Sequence, residues 1–204
     1  MRLKAWVAVA LVLVSAAALQ ACAEALIVGG VAAGVAMAAD RRQTEVMFSD
    51  QRIEFNAGSR IDEVLKGQGH VNVTSYNYTV LLTGEVPSAQ AKADAEKALV
   101  GVQDVKTVVN ELQIAGTSSA ASRSNDAYIT SKVKGNLLGN GKVRPTDVKV
   151  VTEASIVYLL GLVTREEADA ATEIARGTGG VQKVVRVFEY VVPPAKKPEG
   201  SAAR

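Results

Sequence analysis

The sequence is poor in the side chains from which metal sites and catalytic centres are usually built. Its 204 residues include one cysteine, Cys22, and one histidine, His70. A single cysteine cannot form an internal disulfide bond, so the fold must be stabilised by its apolar core. A single histidine without a Cys or His partner does not make a zinc site or an oriented general base. We therefore expect no enzymatic activity, no catalytic residue, no metal and no cofactor, and we interpret His70 as a structural or surface residue.

Aromatic residues and excess charge are also scarce. Phe, Trp and Tyr make up 4% of the chain, which predicts a core built mostly from Val, Leu, Ile and Ala. The formal net charge of +2 includes Arg2 and Lys4, so the chain beyond the first 21 residues has a net charge of zero. Nucleic-acid binding needs a basic surface, and this balance argues against a nucleic-acid partner.

Residues 1–21 have the layout of a secretory signal peptide. A basic start is followed by an apolar stretch at 5–14 and then by small residues. Residues 19–22, Leu-Gln-Ala-Cys, look like a bacterial lipobox, in which the signal is removed and the cysteine is acylated. We predict that Cys22 carries two ester-linked acyl chains and an amide-linked one such as palmitate. Such an anchor holds a protein at a membrane far better than a single chain does.

Two other interpretations of Cys22 remain open, because it also fits the end of a plain signal peptide or of a membrane-spanning helix. The next residue is Ala23. An Asp at this position usually signals retention at the inner membrane, so Ala23 predicts the outer membrane and its periplasmic face. Residues 22–48 are predicted to form an Ala/Gly-rich tether, with a specific packing element as the alternative. The apolar run at 25–39 is shorter than the ~20 residues that a spanning helix needs.

The rest of the chain contains an internal repeat, which predicts two small domains of one fold. Residues 71–86 correspond to residues 148–163 at a constant offset, and Gly84 falls on Gly161. The apolar periodicity of each copy predicts helix, strand, strand, helix, strand. Glycine is costly inside a strand, so at these two positions we expect a bulge or the close approach of a helix.

The repeat also predicts the domain boundaries. The Gly/Ser-rich residues between the copies are predicted to be a flexible linker, so the domains can move relative to each other unless a direct contact holds them. The last strand of the first copy is predicted to be continuous over 105–114. The predicted segments are a first domain at 49–116, a linker at 117–124, a second domain at 125–192 and a disordered Pro/Lys/Ala-rich tail at 193–204.

Several stretches of both copies resemble the BON domain, and the resemblance runs from residue 19 to about residue 191. The stretches that carry it are residues 71–76, 81–84, 125–133 and 180–185. Two such domains behind a lipobox are similar to the dual-BON outer-membrane lipoproteins of Gram-negative bacteria. The resemblance implies an α+β fold with αββαβ topology in each domain, helices packed on a small three-stranded sheet, and no enzymatic activity. It also implies a role in outer-membrane integrity through binding of anionic phospholipid.

The predicted first helix of the second domain, about 126–139, has two distinct faces. At about 100° per residue, Ile129, Val133 and Leu137 form one apolar stripe that predicts the core side. An outward Tyr and Leu over small residues, edged by lysines, suits a shallow membrane contact. The resemblance implies that this helix faces phospholipid. The predicted phospholipid-binding residues are Tyr128, Ser131, Lys132, Lys134, Gly135 and Leu138.

The predicted first helix of the first domain, about 51–66, does not repeat this pattern. Its outward positions are expected to include Glu54, Gly58 and Asp62, which make a polar and partly acidic face. This asymmetry assigns the membrane contact to the second domain. Two alternatives remain, because isolated exposed apolar residues are normal, and because the domains suit an adaptor role in which they bind envelope proteins and contact lipid only incidentally.

Overall fold

The computed structural model describes residues 40–192. The predicted signal peptide, the acylated Cys22, the first part of the predicted tether and the tail at 193–204 lie outside the described residues. Within 40–192, no helix is both long enough and apolar enough to cross a membrane.

The first domain has the predicted order of elements, with its last strand divided in two. Its elements are α1 (Thr44–Leu65), β1 (His70–Tyr76), β2 (Thr79–Val86), α2 (Ala89–Lys97), β3 (Thr107–Asn110) and β4 (Gln113–Ile114). β1 and β2 form an antiparallel hairpin, and β3 and β4 each pair with β2 in parallel. Helix α2 therefore connects β2 to β3, two parallel strands that lie side by side in one sheet.

The second domain repeats this arrangement. Its elements are α3 (Ala120–Asn140), a 3-10 turn (Pro145–Asp147), β5 (Val148–Glu153), β6 (Ile156–Val163), α4 (Arg165–Arg176) and β7 (Lys183–Tyr190). β5 and β6 pair antiparallel, and β6 and β7 pair in parallel, in the order β5-β6-β7. The predicted α+β fold with two αββαβ domains is confirmed.

Each domain has its own aliphatic core between its helices and one face of its sheet. The stripe predicted for α3 is buried, and α1 has an equivalent one. Each fully buried Val, Leu or Ile contributes roughly 1.5–3 kcal/mol, so these stripes fix which side of each helix faces the sheet. The two stripes are Ile53, Ala57 and Ile61 in α1, and Ile129, Val133 and Leu137 in α3.

Both first helices begin earlier than the sequence pattern predicts. Residues 44–48, assigned to the tether, belong to α1. α3 begins at Ala120 because the hydroxyl of Ser119 accepts a hydrogen bond from the backbone N–H of Ser122 and so caps the helix. The second half of the predicted linker, residues 120–124, is therefore helical. Serine is common in linkers and is also a favoured helix cap, so composition alone overestimated the linker.

The strand glycines are required by the neighbouring backbone, which is strand β1 at Gly84 and the last residue of the 3-10 turn at Gly161. A Cβ at Gly84 would collide with the carbonyl oxygen of His70 on β1, and a Cβ at Gly161 would collide with that of Asp147. Gly84 has a φ of 111°, a conformation that side chains with a Cβ rarely adopt, whereas Gly161 does not have a positive φ. The two glycines thus share a steric cause and differ in backbone strain.

The unusual backbone at Gly84 coincides with the break in the last strand of the first domain. Pairing with β2 stops after Leu82 and Asn110 and resumes at Glu85 and Gln113, with the register unchanged. The predicted continuous strand over 105–114 is therefore wrong in this detail. In the second domain the equivalent ladder runs without interruption through Gly161.

A buried aspartate on each first helix holds the hairpin that follows it. Asp50 accepts hydrogen bonds of 2.8 and 2.9 Å from the two backbone N–H groups of the first turn. Asp126 accepts bonds of 3.0 and 2.8 Å from those of the second turn. All four turn residues have positive φ, as a two-residue hairpin turn requires. They are Asn77 and Tyr78 in the first domain and Ala154 and Ser155 in the second.

The two sheets pack against each other through the faces that their own helices leave uncovered. The apolar centre of this interface is Tyr76, Leu81, Tyr158 and Leu160, each nearly inaccessible to solvent. Polar contacts surround it, including a 2.8 Å ion pair between Glu54 and Lys149. This direct contact therefore restrains the two domains. As expected for domains held by a direct contact, the linker no longer allows them to move apart.

Candidate functional site

The predicted phospholipid-binding residues lie on α3, mostly on the side opposite its buried stripe. Tyr128 is 64% exposed and Leu138 is 69% exposed, so neither is buried between the domains. Ten residues separate them, which corresponds to about 15 Å along a helix. Two apolar side chains at this spacing on the solvent side form the ends of a shallow surface.

Small residues occupy the surface between Tyr128 and Leu138. Ser131 is exposed, and its hydroxyl donates a 3.0 Å hydrogen bond to the carbonyl oxygen of Ala127. Gly135 is exposed, and a Cβ built there would meet no atom within 4 Å. The surface is therefore low between its two apolar ends, which leaves room for a ligand against the helix.

The two predicted lysines have different environments. Lys134 is exposed. Lys132 is half-buried, and its Nζ donates a 2.6 Å hydrogen bond to the carbonyl oxygen of Gly179. The same Nζ lies 5.4 Å from the centre of the Tyr128 ring, within the range of a cation–π attraction. Lys132 thus helps to orient Tyr128, while Lys134 points its charge to solvent.

Helices α1 and α3 carry opposite net charges. α1 contains five acidic and two basic side chains, a net charge of −3. α3 contains three basic and one acidic side chain, a net charge of +2, and the acidic one is the buried Asp126. An anionic surface is therefore attracted by α3 and repelled by α1.

The expected polar face of α1 is wrong in part. Glu54 is turned towards the second domain, where it pairs with Lys149 and accepts a hydrogen bond from the backbone N–H of Ser75. The outermost positions instead hold Phe48 and Phe55, which are 61% and 75% exposed. The sequence did carry a signal for them, because two phenylalanines seven residues apart share one helix face.

Arg41 attaches the beginning of the described chain to the second domain. Its guanidinium donates two 2.7 Å hydrogen bonds to Glu167 and one of 2.9 Å to the carbonyl oxygen of Leu162, and it lies 3.2 Å from buried Asp147. The bond from Arg41 lowers the pKa of Glu167 to about 2, and the same pairing raises the pKa of Arg41. No motif or periodicity in the sequence indicates this contact.

A second polar cluster lies between the two sheets. His70 Nδ1 is 3.6 Å from the carboxylate of Glu85, and Glu153 of the second domain lies beside them. Asn72 donates a 2.7 Å hydrogen bond to Glu153. Burial raises the pKa of Glu153, while the Asn72 bond opposes this change. Among residues 40–192, these three side chains are the group close enough together to hold a metal ion.

Comparison with known families agrees with this architecture. Residues 49–116 and residues 125–191 each match the family model of the BON domain. The two matches include all the strands and most of the helices described above. Two BON domains in one chain therefore define the class of protein.

Similar whole proteins come from several bacteria. The chain is 41% identical to the outer membrane lipoprotein DolP of Haemophilus influenzae, over 85% of this chain and 90% of that protein. It is 37% identical to the 21 kDa hemolysin of Actinobacillus pleuropneumoniae, over 70% of this chain and 72% of that protein. It is 28% identical to the osmotically-inducible protein Y of Escherichia coli, over 78% of this chain and 89% of that protein. The chain therefore belongs to the dual-BON-domain family of which the Haemophilus protein is a member.

Proposed function

We propose that this protein is an outer-membrane lipoprotein, anchored through Cys22 and facing the periplasm, whose second BON domain binds anionic phospholipid and thereby supports the integrity of the outer membrane. The observation that carries the proposal is the outer face of α3. Exposed Tyr128 and Leu138 flank a low surface on a helix of positive net charge. Lys132, Lys134, Ser131 and Gly135 complete the proposed lipid-binding surface, and no catalytic group or cofactor takes part.

The contact is weak by itself. Half-burying a tyrosine and a leucine contributes roughly 1–1.5 kcal/mol each, given 1.5–3 kcal/mol for complete burial of a large apolar side chain. A cation near an anionic bilayer adds about 1 kcal/mol. The total of about 3–4 kcal/mol corresponds to a dissociation constant of roughly 1–6 mM. Binding at this strength needs help from the anchor.

The proposed acyl anchor on Cys22 supplies that help. It keeps the domains close to one leaflet, where a flexible connection gives an effective concentration in the mM range. About 20 residues separate Cys22 from α1, a length that spans at most about 70 Å when fully extended. The name of the Haemophilus relative, an outer membrane lipoprotein, supports the same location.

Vesicle flotation of residues 22–204 with Cys22→Ser, expressed without the apolar signal segment, tests the lipid contact without the acyl anchor. The two-domain chain is needed because an isolated second domain would expose Tyr158 and Leu160 of the interface. We expect flotation with vesicles that contain phosphatidylglycerol and much less with phosphatidylcholine alone. Tyr128→Ala combined with Leu138→Ala should abolish the difference. The matched control, Phe48→Ala with Phe55→Ala, removes exposed apolar surface from α1 and should leave flotation unchanged.

Two results would reject parts of this proposal. Unchanged flotation of the Tyr128→Ala, Leu138→Ala variant would reject the lipid-binding surface. Mass spectrometry tests the anchor separately on the chain expressed with its own signal. A soluble product without acyl groups would reject acylation of Cys22.

A second candidate function is that of an envelope adaptor, and the outer face of α1 favours it. Phe48, Phe55 and Val100 are exposed on the first domain, on or near a helix whose net charge of −3 disfavours an anionic bilayer. Photo-crosslinkers placed at Phe55 and at Tyr128 in cells compare the two functions. Protein adducts at Phe55 with lipid adducts at Tyr128 would support both functions, whereas protein adducts at Tyr128 alone would favour the adaptor on the second domain.

A further inference from the structure

The polar cluster between the sheets brings together three metal-binding side chains from two domains. His70 begins β1 and lies opposite Glu85 of β2, and Glu153 ends β5. His70 Nδ1 is 3.6 Å from Glu85 Oε2, and the candidate ligand atoms of all three residues lie within 4.8 Å of one another. Only the packing of the two sheets assembles this group, since neither domain contains all of it.

The hydrogen-bond pattern around the cluster is incomplete. Three buried side-chain polar atoms among residues 40–192 make no hydrogen bond, and each belongs to a residue beside this cluster. Thr83, only 1% exposed, is two residues from Glu85 on the same strand, and Ser118 donates its backbone N–H to Glu85. The three atoms are His70 Nδ1, Thr83 Oγ1 and Ser118 Oγ. Unsatisfied buried groups are rare, and one cause is an ion or water that binds at the site.

Among residues 40–192, neither carboxylate of the cluster forms an ion pair with a lysine or an arginine. Arg123 lines the same cavity, but its side chain donates a hydrogen bond to the carbonyl oxygen of Ser118. Glu85 and Glu153 are both 5% exposed, and each accepts a hydrogen bond from an uncharged donor. Two buried carboxylates this close together repel each other unless a positive charge lies between them. The nearby Asp126 does not add to the site, because both of its oxygens accept backbone hydrogen bonds from the hairpin turn.

The spacing of the candidate ligand atoms approaches that of a small transition-metal site, and ligand atoms as far apart as 4.8 Å must move closer when the ion binds. Around a tetrahedral Zn²⁺, ligand atoms at about 2.0–2.2 Å from the metal are roughly 3.3 Å apart. The 3.6 Å between His70 and Glu85 is close to this value. One imidazole and two carboxylates form a donor set suited to Zn²⁺ and its neighbours, whereas Ca²⁺ and Mg²⁺ prefer oxygen donors alone.

We propose that His70, Glu85 and Glu153 bind one divalent transition-metal ion of the Zn²⁺ class, which links the two BON domains. The side chains supply three ligands, and water fills the fourth position of the tetrahedron. The unpaired hydroxyl groups of Thr83 and Ser118 are the candidates to bond that water or the ligating carboxylates. Because two ligands come from the first domain and one from the second, the ion fixes the domains in the packed arrangement.

Zn²⁺ titration of residues 22–204, expressed without the signal segment, tests this proposal directly. The chain carries Cys22→Ser and no affinity tag, so that His70 is its only histidine and no thiol competes for the metal. Calorimetry should give one site per chain, with much weaker binding of Ca²⁺ and Mg²⁺. Co²⁺ should give the visible absorption bands of a tetrahedral site. Zn²⁺ should also raise the thermal unfolding midpoint, because it binds the folded form.

Three variants decide whether the ion binds at this cluster. Losing a direct ligand costs at least as much as losing a residue that orients one, so His70→Ala and Glu153→Gln should each weaken Zn²⁺ binding about 100-fold or more. Glu153→Gln keeps the shape of the side chain. It therefore shows whether the ion binds at this cluster even if His70→Ala lowers the stability of the fold. Glu166→Gln, the same change on the exposed surface of α4, should bind Zn²⁺ like the parent.

Two outcomes would overturn the proposal. The first is absence of stoichiometric Zn²⁺ binding by the parent chain, which would show that the cluster holds no metal ion. The second is parent-like binding by Glu153→Gln, which would place the ion elsewhere. The imidazole NMR signals of His70 provide an independent check, since they must shift on addition of Zn²⁺.

Discussion

The two domains share their internal contacts and differ in the helix face that each exposes. In both, an apolar stripe covers the sheet and a buried aspartate binds the hairpin turn. On the outside, α1 carries Phe48 and Phe55 on an acidic helix, whereas α3 carries Tyr128 and Leu138 on a basic one. Apolar exposure is therefore common to both domains, and it is the charge that distinguishes the one suited to an anionic bilayer.

The largest effects should come from the strand glycines. Gly84→Ala adds a Cβ against the carbonyl of His70 and also strains a backbone with positive φ, and we expect a loss of about 4 kcal/mol or more. Gly161→Ala has only the steric clash and should cost about 1–2 kcal/mol less, the usual penalty of a left-handed conformation. Urea unfolding of both variants measures the difference. Equal losses would mean that the backbone at Gly84 carries no extra strain.

The turn-binding aspartates should give the next largest effects. Asp50 also accepts a 2.7 Å hydrogen bond from the hydroxyl of Ser75 and pairs with Arg42 at 2.9 Å, whereas Asp126 binds the turn N–H groups alone. Asp50→Ala leaves more buried groups unpaired and should cost about 3–4 kcal/mol, against about 2–3 kcal/mol for Asp126→Ala. Urea unfolding of the two variants measures these losses. A larger loss of unfolding free energy for Asp126→Ala than for Asp50→Ala would contradict this prediction.

Reversal of one charge on α3 should weaken the proposed lipid contact. Lys134→Glu changes the helix charge by two units, which at about 1 kcal/mol per charge predicts roughly 30-fold weaker binding to anionic vesicles at about 0.1 M salt. Lys97→Glu makes the same change on exposed α2 of the first domain and should have little effect, because salt screens charges beyond about 10 Å. Similar losses in the two variants would show that net charge, and not the position on α3, governs binding.

The sequence predicted the repeating parts of the fold well. The apolar stripe of α3 and the two hairpins follow from periods of 3.6 and 2 residues, and both are present. The break in the last strand of the first domain was missed because it depends on the backbone conformation at Gly84. The early start of α3 was missed because Ser119 reads equally well as a linker residue and as a helix cap.

The functional surfaces were predicted less completely. The residues of the proposed lipid-binding surface lie on consecutive turns of one helix, so the helical periodicity of the sequence is enough to place them together. His70 and Glu85 are cross-strand partners in the first hairpin, but Glu153 joins them only where the two sheets pack. A periodic pattern along the sequence does not indicate which residues touch between two domains. One histidine with carboxylates from two domains also does not form the Cys/His spacing that is typical of a metal site in sequence.

The smallest expected effect on stability comes from the N-terminal caps of α2 and α4, the second helix of each domain. α2 is capped by Ser88 alone, whereas α4 has a capping box in which Thr164 and Glu167 bond each other's backbone, and Arg41 adds a bidentate contact. Glu167→Gln should cost about 1 kcal/mol at neutral pH, since this ion pair is only partly buried.

The Glu167 contribution should depend on pH in a defined direction. Because Arg41 lowers the pKa of Glu167 from 4.5 to about 2, the carboxylate stabilises the folded chain fully above pH 4.5 and loses this effect as the pH falls to 2. Urea unfolding of the parent and Glu167→Gln should therefore converge over this range, while Glu166→Gln, on the same turn and exposed, should show no comparable change. If the difference in unfolding free energy between the parent and Glu167→Gln stayed constant on acidification, Glu167 would stabilise α4 by its shape and neutral hydrogen bonds. Its ion pair with Arg41 would then not be what holds the segment before α1 to the second domain.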